Sequence, residues 1–430
     1  MIYIIFQEHF MVLSDKTRKL ALEAEKALSE QFDHIDEVSR ICTERVLDVF
    51  REMRVSESMF AATTGYGYGD RGRDAIDEIA AKIFGAEAGF MRPSILSGTH
   101  ALTVGLFGLL RPGDTMLSIT GVPYDTLRGV IGIAEGGADG SGSLKDFGVD
   151  YEQIEFRSDG YMDLEAVKAR LEADTENKIK IVFMQRSKGY LDRRTLTVRE
   201  IAEAAALVHE MSDAFVVLDN CYGEFTEESE PAAHGVDLMI GSLIKNPGGG
   251  MADIGGYLVG TKKAVELAGY RLTCPGVGLE VGASLGQNRN LLRGLFYAPH
   301  TTAQALKAAH LTAYMFRELG YDVNPQPFEA RSDIIQTVKL ESADGLVEFC
   351  RGIQSGSPVD AFVSPEPWEM PGYDDPVVMA AGAFVGGASI ELSADGPVRP
   401  PYIAFMQGGL TYESARLAVM AAAERVGNKN

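Results

Sequence analysis

Basic residues are in short supply: Lys and Arg total 40 against 61 Asp and Glu, a net charge of −21. A phosphate backbone is held by a basic patch, so this balance argues against a nucleic-acid partner and favours a soluble chain. Cysteine is also scarce. Cys42, Cys221, Cys274 and Cys350 stand far apart, with no CxxC pair and no metal-ligand spacing. That argues against a disulfide framework and a metal site, and the four read as reduced thiols of a cytoplasmic protein. Long apolar runs are missing too. The opening MIYIIF meets Gln7, Glu8 and His9 after six residues, too short for a secretory signal, and nothing later is long enough to span a bilayer. Met11 reads as an alternative start, with the ten residues before it an extension. No internal repeat, low-complexity run or heptad array is present.

What is present is 430 residues, 46% of them hydrophobic, enough for two or three domains and a sizeable core. From about residue 14 to 53, Leu20, Ala24, Leu28, Phe32 and Ile35 recur at helical spacing among charges, which predicts helices. The glycine-rich TTGYGYGDRGRD breaks that pattern before AIDEIAAKIFGAE, which is helical again. Beyond it, LSGTHALTVGLFGLL and TVREIAEAAALVHEM read as helices, and DTMLSIT, KIKIVFMQ, DAFVVLDN, DLMIGSLIK and GGYLVGT as strands. Short strands rich in Val, Ile and Phe, separated by helices, predict an α/β fold with a mostly parallel sheet covered on both faces.

After about residue 300 the pattern changes. A helix, TTAQALKAAHLTAYMFRELG, leads to RSDIIQTVKL and a loop rich in Pro and Gly from Pro358 to Gly372. Strand-like ASIELSA and a final helix, TYESARLAVMAAAERV, follow. This reads as a smaller C-terminal α+β domain. The expected division is an N-terminal helical segment (1–60), a large α/β domain (61–299) and the small domain (300–430).

Ligands of open α/β sheets sit outside the carboxyl ends of the strands. Asp219 closes AFVVLDN, Lys245 closes LMIGSLIK, and Ser97, Gly98 and Thr99 open a helix. Taken singly, Asp219 reads as a helix cap, Lys245 as a snorkelling surface lysine and SGT as an N-cap. GYGYGDRG fails the dinucleotide fingerprint, because no strand precedes it. Together the three groups fit pyridoxal phosphate. That cofactor needs a lysine amine for its aldehyde, an anion beside its ring nitrogen, an aromatic face and a phosphate cradle. Lys245 supplies the amine and Asp219 the anion, while Gly98 and Thr99 offer amide N–H groups at a helix start. Ser242 adds a hydroxyl, and Tyr124 in GVPYDTL is placed to stack. Gly248 to Gly250 let backbone pass close to the cofactor.

These residues resemble the fold-type-I pyridoxal phosphate enzymes, within them the cystathionine γ-synthase and methionine γ-lyase group. The likeness rests on LSGTHA, Tyr124, VVLDNCYGEF and SLIKNPGGGMADIGG. GYGYGDRGRD, QRSKGY and RPPYIAFMQGGLTYE resemble the aluminium-resistance, methionine γ-lyase-like branch, and the likeness runs from about residue 15 to the C-terminus. The resemblance implies Lys245 as covalent anchor, Asp219 as ring-nitrogen partner, Tyr124 as stacking ring, and Ser97, Gly98, Thr99 and Ser242 as phosphate cup. It implies that Tyr66 or Tyr68, with Arg71, reaches the phosphate of a neighbouring subunit, and that Arg399 clamps the substrate carboxylate. Gln185 and Arg186 are read as touching cofactor or substrate, and Lys188 as a loop charge. Two positions depart from the group: Ile244 replaces the Thr before the lysine, and the His after the glycines is absent.

The expected activity is a carbon–sulfur lyase acting on a sulfur-containing amino acid, of cystathionine β-lyase or methionine γ-lyase type. Lys245 would remove the α-proton and Tyr124 would protonate the leaving group. The resemblance also implies a homodimer or homotetramer with shared active sites. One alternative is non-sulfur chemistry on the same cofactor, of aldolase or racemase type. Another is a non-catalytic metal-binding protein using Glu224, Glu227, Glu228, Glu230, Asp374 and Asp375, although charge runs are usually solvated faces.

Overall fold

The computed structural model describes residues 13–134, 140–370, 373 and 375–427; Met11, Gly372 and Asp374 lie outside them. Two helices come first, α1 (Asp15–Ala27) and α2 (Ser29–Glu52), with Ser14 capping α1. The glycine-rich loop follows, then α3 (Arg71–Phe84), capped by Asp70 and ended by left-handed Gly85. Strand and helix then alternate through β1 (Ala88–Arg92), α4 (Gly98–Leu109), β2 (Thr115–Ser118), α5 (Asp125–Ile131), β3 (Asp150–Gln153) and α6 (Leu164–Glu172). Next come β4 (Ile179–Gln185), α7 (Val198–Met211), β5 (Phe215–Asp219), β6 (Leu238–Ser242), β7 (Gly256–Gly260) and α8 (Lys262–Leu272). Thr197 opens α7 with a reciprocal capping box to Glu200.

Strands β1 to β7 form one sheet in the order β1-β7-β6-β5-β4-β2-β3. β3, β2, β4, β5 and β6 are parallel, and β7 runs antiparallel to both β6 and β1. Side chains alternate between two cores. Val182, Met184, Val216 and Leu218 pack with Ile76, Ile79 and Ile201 on one face. Ile181, Phe183 and Val217 pack with Leu102, Leu106 and Leu258 on the other. A strand buried on both faces must be apolar at every position, which is why β4 and β5 read as continuous hydrophobic runs.

The remaining elements are α9 (Asn288–Glu318), β8 (Asp322–Asn324), β9 (Gln336–Lys339), α10 (Ala343–Ser355), β10 (Val377–Ala380), β11 (Ser393–Pro397), β12 (Ile403–Gln407) and α11 (Tyr412–Val426). Their strands form an antiparallel sheet in the order β10-β11-β12-β9-β8. The chain divides into one compact unit of residues 38–300 and a second made of the residues up to 37 with those from 301 on. The second unit has its own core, in which Ala21, Ala24 and Leu28 join Phe316, Phe349, Ala404 and Val419. No described helix is long and apolar enough to cross a membrane.

Three local expectations change. ASIELSA is mostly turn, and the strand begins only at Ser393. Its apolar residues Ile390 and Leu392 are buried, so the hydrophobic pattern there reports burial and not strand conformation. Helix α9 starts at Asn288, well ahead of the expected TTAQALKAAHLTAYMFRELG, and runs through Pro299. The strands β1, β3, β8, β10 and β12 are not among those the sequence pattern predicts.

Candidate active site

The carboxyl ends of the parallel strands open on one edge of the large sheet. β1 leads there to Ser97, whose hydroxyl caps α4 by accepting from His100 N–H at 3.1 Å. Gly98 and Thr99 are the first residues of that helix, so their N–H groups have no intrahelical acceptor. A Cβ on Gly98 would lie 3.5 Å from both Cys221 Sγ, just after β5, and Ser242 Cβ, at the end of β6. The Thr99 hydroxyl meets that of Thr126 at 2.7 Å, tying the start of α4 to the start of α5. Four segments therefore converge: 97–99, 124–126, 219–221 and 242.

Tyr124 stands just before α5. Its N–H donates to Gln185 Oε1 at 2.7 Å, and Gln185 Nε2 donates to Ser187 O at 3.0 Å. A Cβ on Gly189 would come within 3.0 Å of the Tyr124 ring, and Tyr190 lies beside that ring at a centroid distance of 5.7 Å. The 185–190 segment thus backs the tyrosine and fixes its direction.

Asp219 is buried, and its Oδ1 accepts the Cys221 N–H at 3.1 Å. Among the described residues no N–H or O–H donor reaches its other oxygen. Lys245 follows Ser242 by three residues and is half-buried. Its Nζ lies 4.1 Å from the centre of the Tyr222 ring. Burial pulls the Lys245 ammonium down, Cys221, Tyr222 and Asp219 pull it up, and the balance leaves it above the ordinary lysine value. Burial and then the Asp219 charge push the Cys221 thiol far above its usual range, so it remains S–H at neutral pH.

The sequence matches the methionine gamma-lyase family over residues 17–427. The chain belongs to this family. YnbB, an uncharacterised protein of Bacillus subtilis strain 168, is 48% identical over 413 residues, 96% of this chain and 97% of YnbB. A carbon–sulfur lyase involved in aluminium resistance from Clostridium novyi NT has the same structure at 47% identity and a TM-score of 0.92, covering 96% of each chain. A candidate cystathionine β-lyase involved in aluminium resistance from Clostridium acetobutylicum matches at 45% identity, TM-score 0.92 and 96% of each chain. The fold is that of the fold-type-I pyridoxal phosphate enzymes, with the smaller sheet in the C-terminal part.

Within this methionine gamma-lyase family member, other expected site residues fall elsewhere. Arg186 is fully buried, and its contacts describe an internal brace rather than a group offered to a ligand. It donates to Asn220 Oδ1 and Gly223 O, both at 2.9 Å, and pairs with Glu227 at 2.7 Å. It thereby holds the loop that carries Cys221 and Tyr222. Lys188, expected as a solvated loop charge, is fully buried. Tyr66 and Tyr68 are exposed by 75% and 65%, with rings 5.7 Å apart, on a loop braced by the Gly282 N–H to Tyr66 O bond. Arg71 is exposed at the start of α3. Arg399 belongs to the other compact unit, where it pairs with Asp375 at 2.7 Å.

The acidic run EFTEESE is not a solvated face. Glu224 and Glu230 are buried, and Glu227 is taken up by Arg186 and the Val198 N–H. Among the described residues no group of three metal-ligating side chains converges. Sequence reasoning passed over Cys221, Tyr222 and Asn246. Their signal was their place, immediately after Asp219 and Lys245.

Proposed function

We propose that this chain is a pyridoxal phosphate-dependent carbon–sulfur lyase acting on a sulfur-containing amino acid. The convergence at Gly98 carries the reading: a Cβ there would lie 3.5 Å from both Cys221 Sγ and Ser242 Cβ, which joins the helix start, the loop after Asp219 and the strand before Lys245 around one cradle. The donor set fits the cofactor. Among the described residues one Asp219 oxygen has no N–H or O–H donor, and a protonated ring nitrogen would be held there. The Gly98 and Thr99 amides, with the Ser97 and Ser242 hydroxyls, suit a phosphate. Tyr124 is braced from behind by the 185–190 segment, as a stacking ring needs to be.

When bound, pyridoxal phosphate supplies an electron-poor ring that delocalises the charge left on a substrate carbon after its proton is removed. The chain supplies the proton handling. Lys245 Nζ is the base that takes the α-proton, and Asp219 keeps the ring nitrogen protonated. Tyr124 Oη delivers a proton to the departing sulfur. Arg399 is the proposed partner of the substrate carboxylate, with Gln185 acting through its hold on Tyr124. The exposed Tyr66 and Tyr68, with Arg71, suit a second copy of the chain in a cytoplasmic homodimer or homotetramer. The four unpaired cysteines agree with a reducing compartment.

The deciding experiment is a visible spectrum of the purified protein before and after borohydride, with Lys245→Ala as control. Yellow absorbance that borohydride removes and the variant lacks supports the covalent role of Lys245. Assays for thiol and 2-oxo acid release from cystathionine, methionine and cysteine then identify the substrate. A protein that stays colourless after added pyridoxal phosphate, or that releases no thiol from any of them, would overturn the reading.

A further inference from the structure

Asn246 follows Lys245 directly and is fully buried. Its Nδ2 donates to Tyr222 O and to Glu224 O, each at 3.0 Å, so it staples the lysine to the loop after β5. Its Oδ1 is buried and has no donor among the described residues. Glu224 is fully buried as well. Its Oε1 accepts the Tyr257 hydroxyl of β7 at 2.7 Å, and its Oε2 is buried with no donor among the described residues. The acid lies under β6: a Cβ on Gly241 would come within 2.6 Å of Glu224 Oε1 and 2.4 Å of Tyr257 Cε1.

The two acceptors lie on separate loops joined by the Asn246 Nδ2 to Glu224 O bond, both sealed from solvent and both lacking a donor among the described residues. A buried acceptor left unmet is costly, and a buried carboxylate with a single hydrogen bond is costlier. An amide oxygen cannot carry a proton, whereas a carboxyl can. We propose that Glu224 is held as a neutral carboxylic acid whose Oε2–H donates to Asn246 Oδ1, making it a positioning residue for Lys245. The role at Lys245 rests on the function proposed above; the protonation of Glu224 does not.

The groups facing Glu224 are Tyr257, Glu230, Lys245 and, through Tyr257, Cys221. Burial dominates, and the Tyr257 hydroxyl and Lys245 offset it only in part, so the carboxyl is pushed up to about 8. Glu230 adds repulsion, although Arg45 at 3.7 Å and Arg186 partly balance that acid. With the proton in place, Asn246 is held through both ends of its amide. Loss of the proton removes the donor and leaves a negative charge behind Lys245, which favours its ammonium over the free amine.

Glu224→Gln copies the neutral acid, keeping an acceptor for Tyr257 and an N–H for Asn246. Thermal unfolding of cofactor-free protein is compared between wild type and variant from pH 5 to pH 9.5. A group whose pKa is raised on folding stabilises at low pH and loses that contribution as pH rises through the folded value. Relative to the variant, wild type should therefore lose several degrees as pH rises from 5 to about 8 and level off above it. Apparent affinity for pyridoxal phosphate should fall about threefold or more above pH 8 in wild type and stay flat in the variant. A difference in melting temperature that is constant with pH, or a Gln variant that fails to fold, overturns the proposal. Failure of wild type to take up the cofactor at any pH would remove the positioning role together with the proposed function. The unfolding series would still decide the proton.

Discussion

The Lys245 Nζ sits 4.1 Å from the centre of the Tyr222 ring, and Tyr222 holds that ring in place from a left-handed backbone conformation with φ +74°. A side-chain-bearing residue there costs about 1 kcal/mol or more. The Asn246 Nδ2 bond to Tyr222 O holds the strained turn. Strain at this point orients the lysine, through a cation–π contact of roughly 0.5–2 kcal/mol.

That contact makes a first prediction. Tyr222→Phe should retain pyridoxal phosphate as wild type does, since the ring face is kept. Tyr222→Leu should retain it about tenfold less well, a loss near 1.4 kcal/mol. Equilibrium dialysis followed by absorbance reads the difference, and equal retention by the Leu variant would show that the ring does not place the lysine.

A second prediction concerns the cradle. A Cβ on Gly98 makes only ordinary 3.5 Å contacts with Cys221 and Ser242, so Gly98→Ala should fold with a nearly unchanged melting temperature. The added methyl nevertheless enters the space where four segments converge. Pyridoxal phosphate retention should fall about tenfold or more. Unchanged retention would move the phosphate away from the start of α4.

The third prediction uses Asp70, the cap of α3, which also bonds the Asn288 amide at 3.1 Å and the Thr63 hydroxyl. Burial alone would raise its carboxyl. Bonds from the Arg73 amide and from Ser284, Thr63 and Asn288 outweigh it and hold the carboxyl down at about 2. A depressed pKa contributes stability above the ordinary carboxylate value and loses it as pH falls toward the folded one. Asp70→Ala should cost about 1–2 kcal/mol near neutral pH and distinctly less near pH 2. Denaturant titrations at both pH values test this, and an equal cost at both would rule out a charged cap.

Much of the large sheet was legible because β4, β5 and β6 are buried on both faces and must be apolar along their length. β3 was not, since its residues Asp150 to Gln153 lie exposed or half-buried at an edge and carry no such pattern. Asp219 and Lys245 stood out for the same reason as the strands they close: a charge ending an apolar run is conspicuous in one dimension. Arg186 was equally conspicuous, yet the acceptors that make it a brace for the loop after β5, Asn220, Gly223 and Glu227, lie more than thirty positions along the chain.

By itself, then, the sequence determined the alternation of strands and helices, the residues at the strand ends and the helix start at Ser97. These depend on local periodicity and on caps within a few residues. Only the tertiary structure decided that Gly98 approaches Cys221 and Ser242, that Tyr222 lies beneath Lys245, and that Glu224 and Glu230 turn inward from a run of acids. Those relationships arise where separate strands end side by side in the sheet, and their distances are set by β-pairing register and by burial, neither of which a linear spacing records.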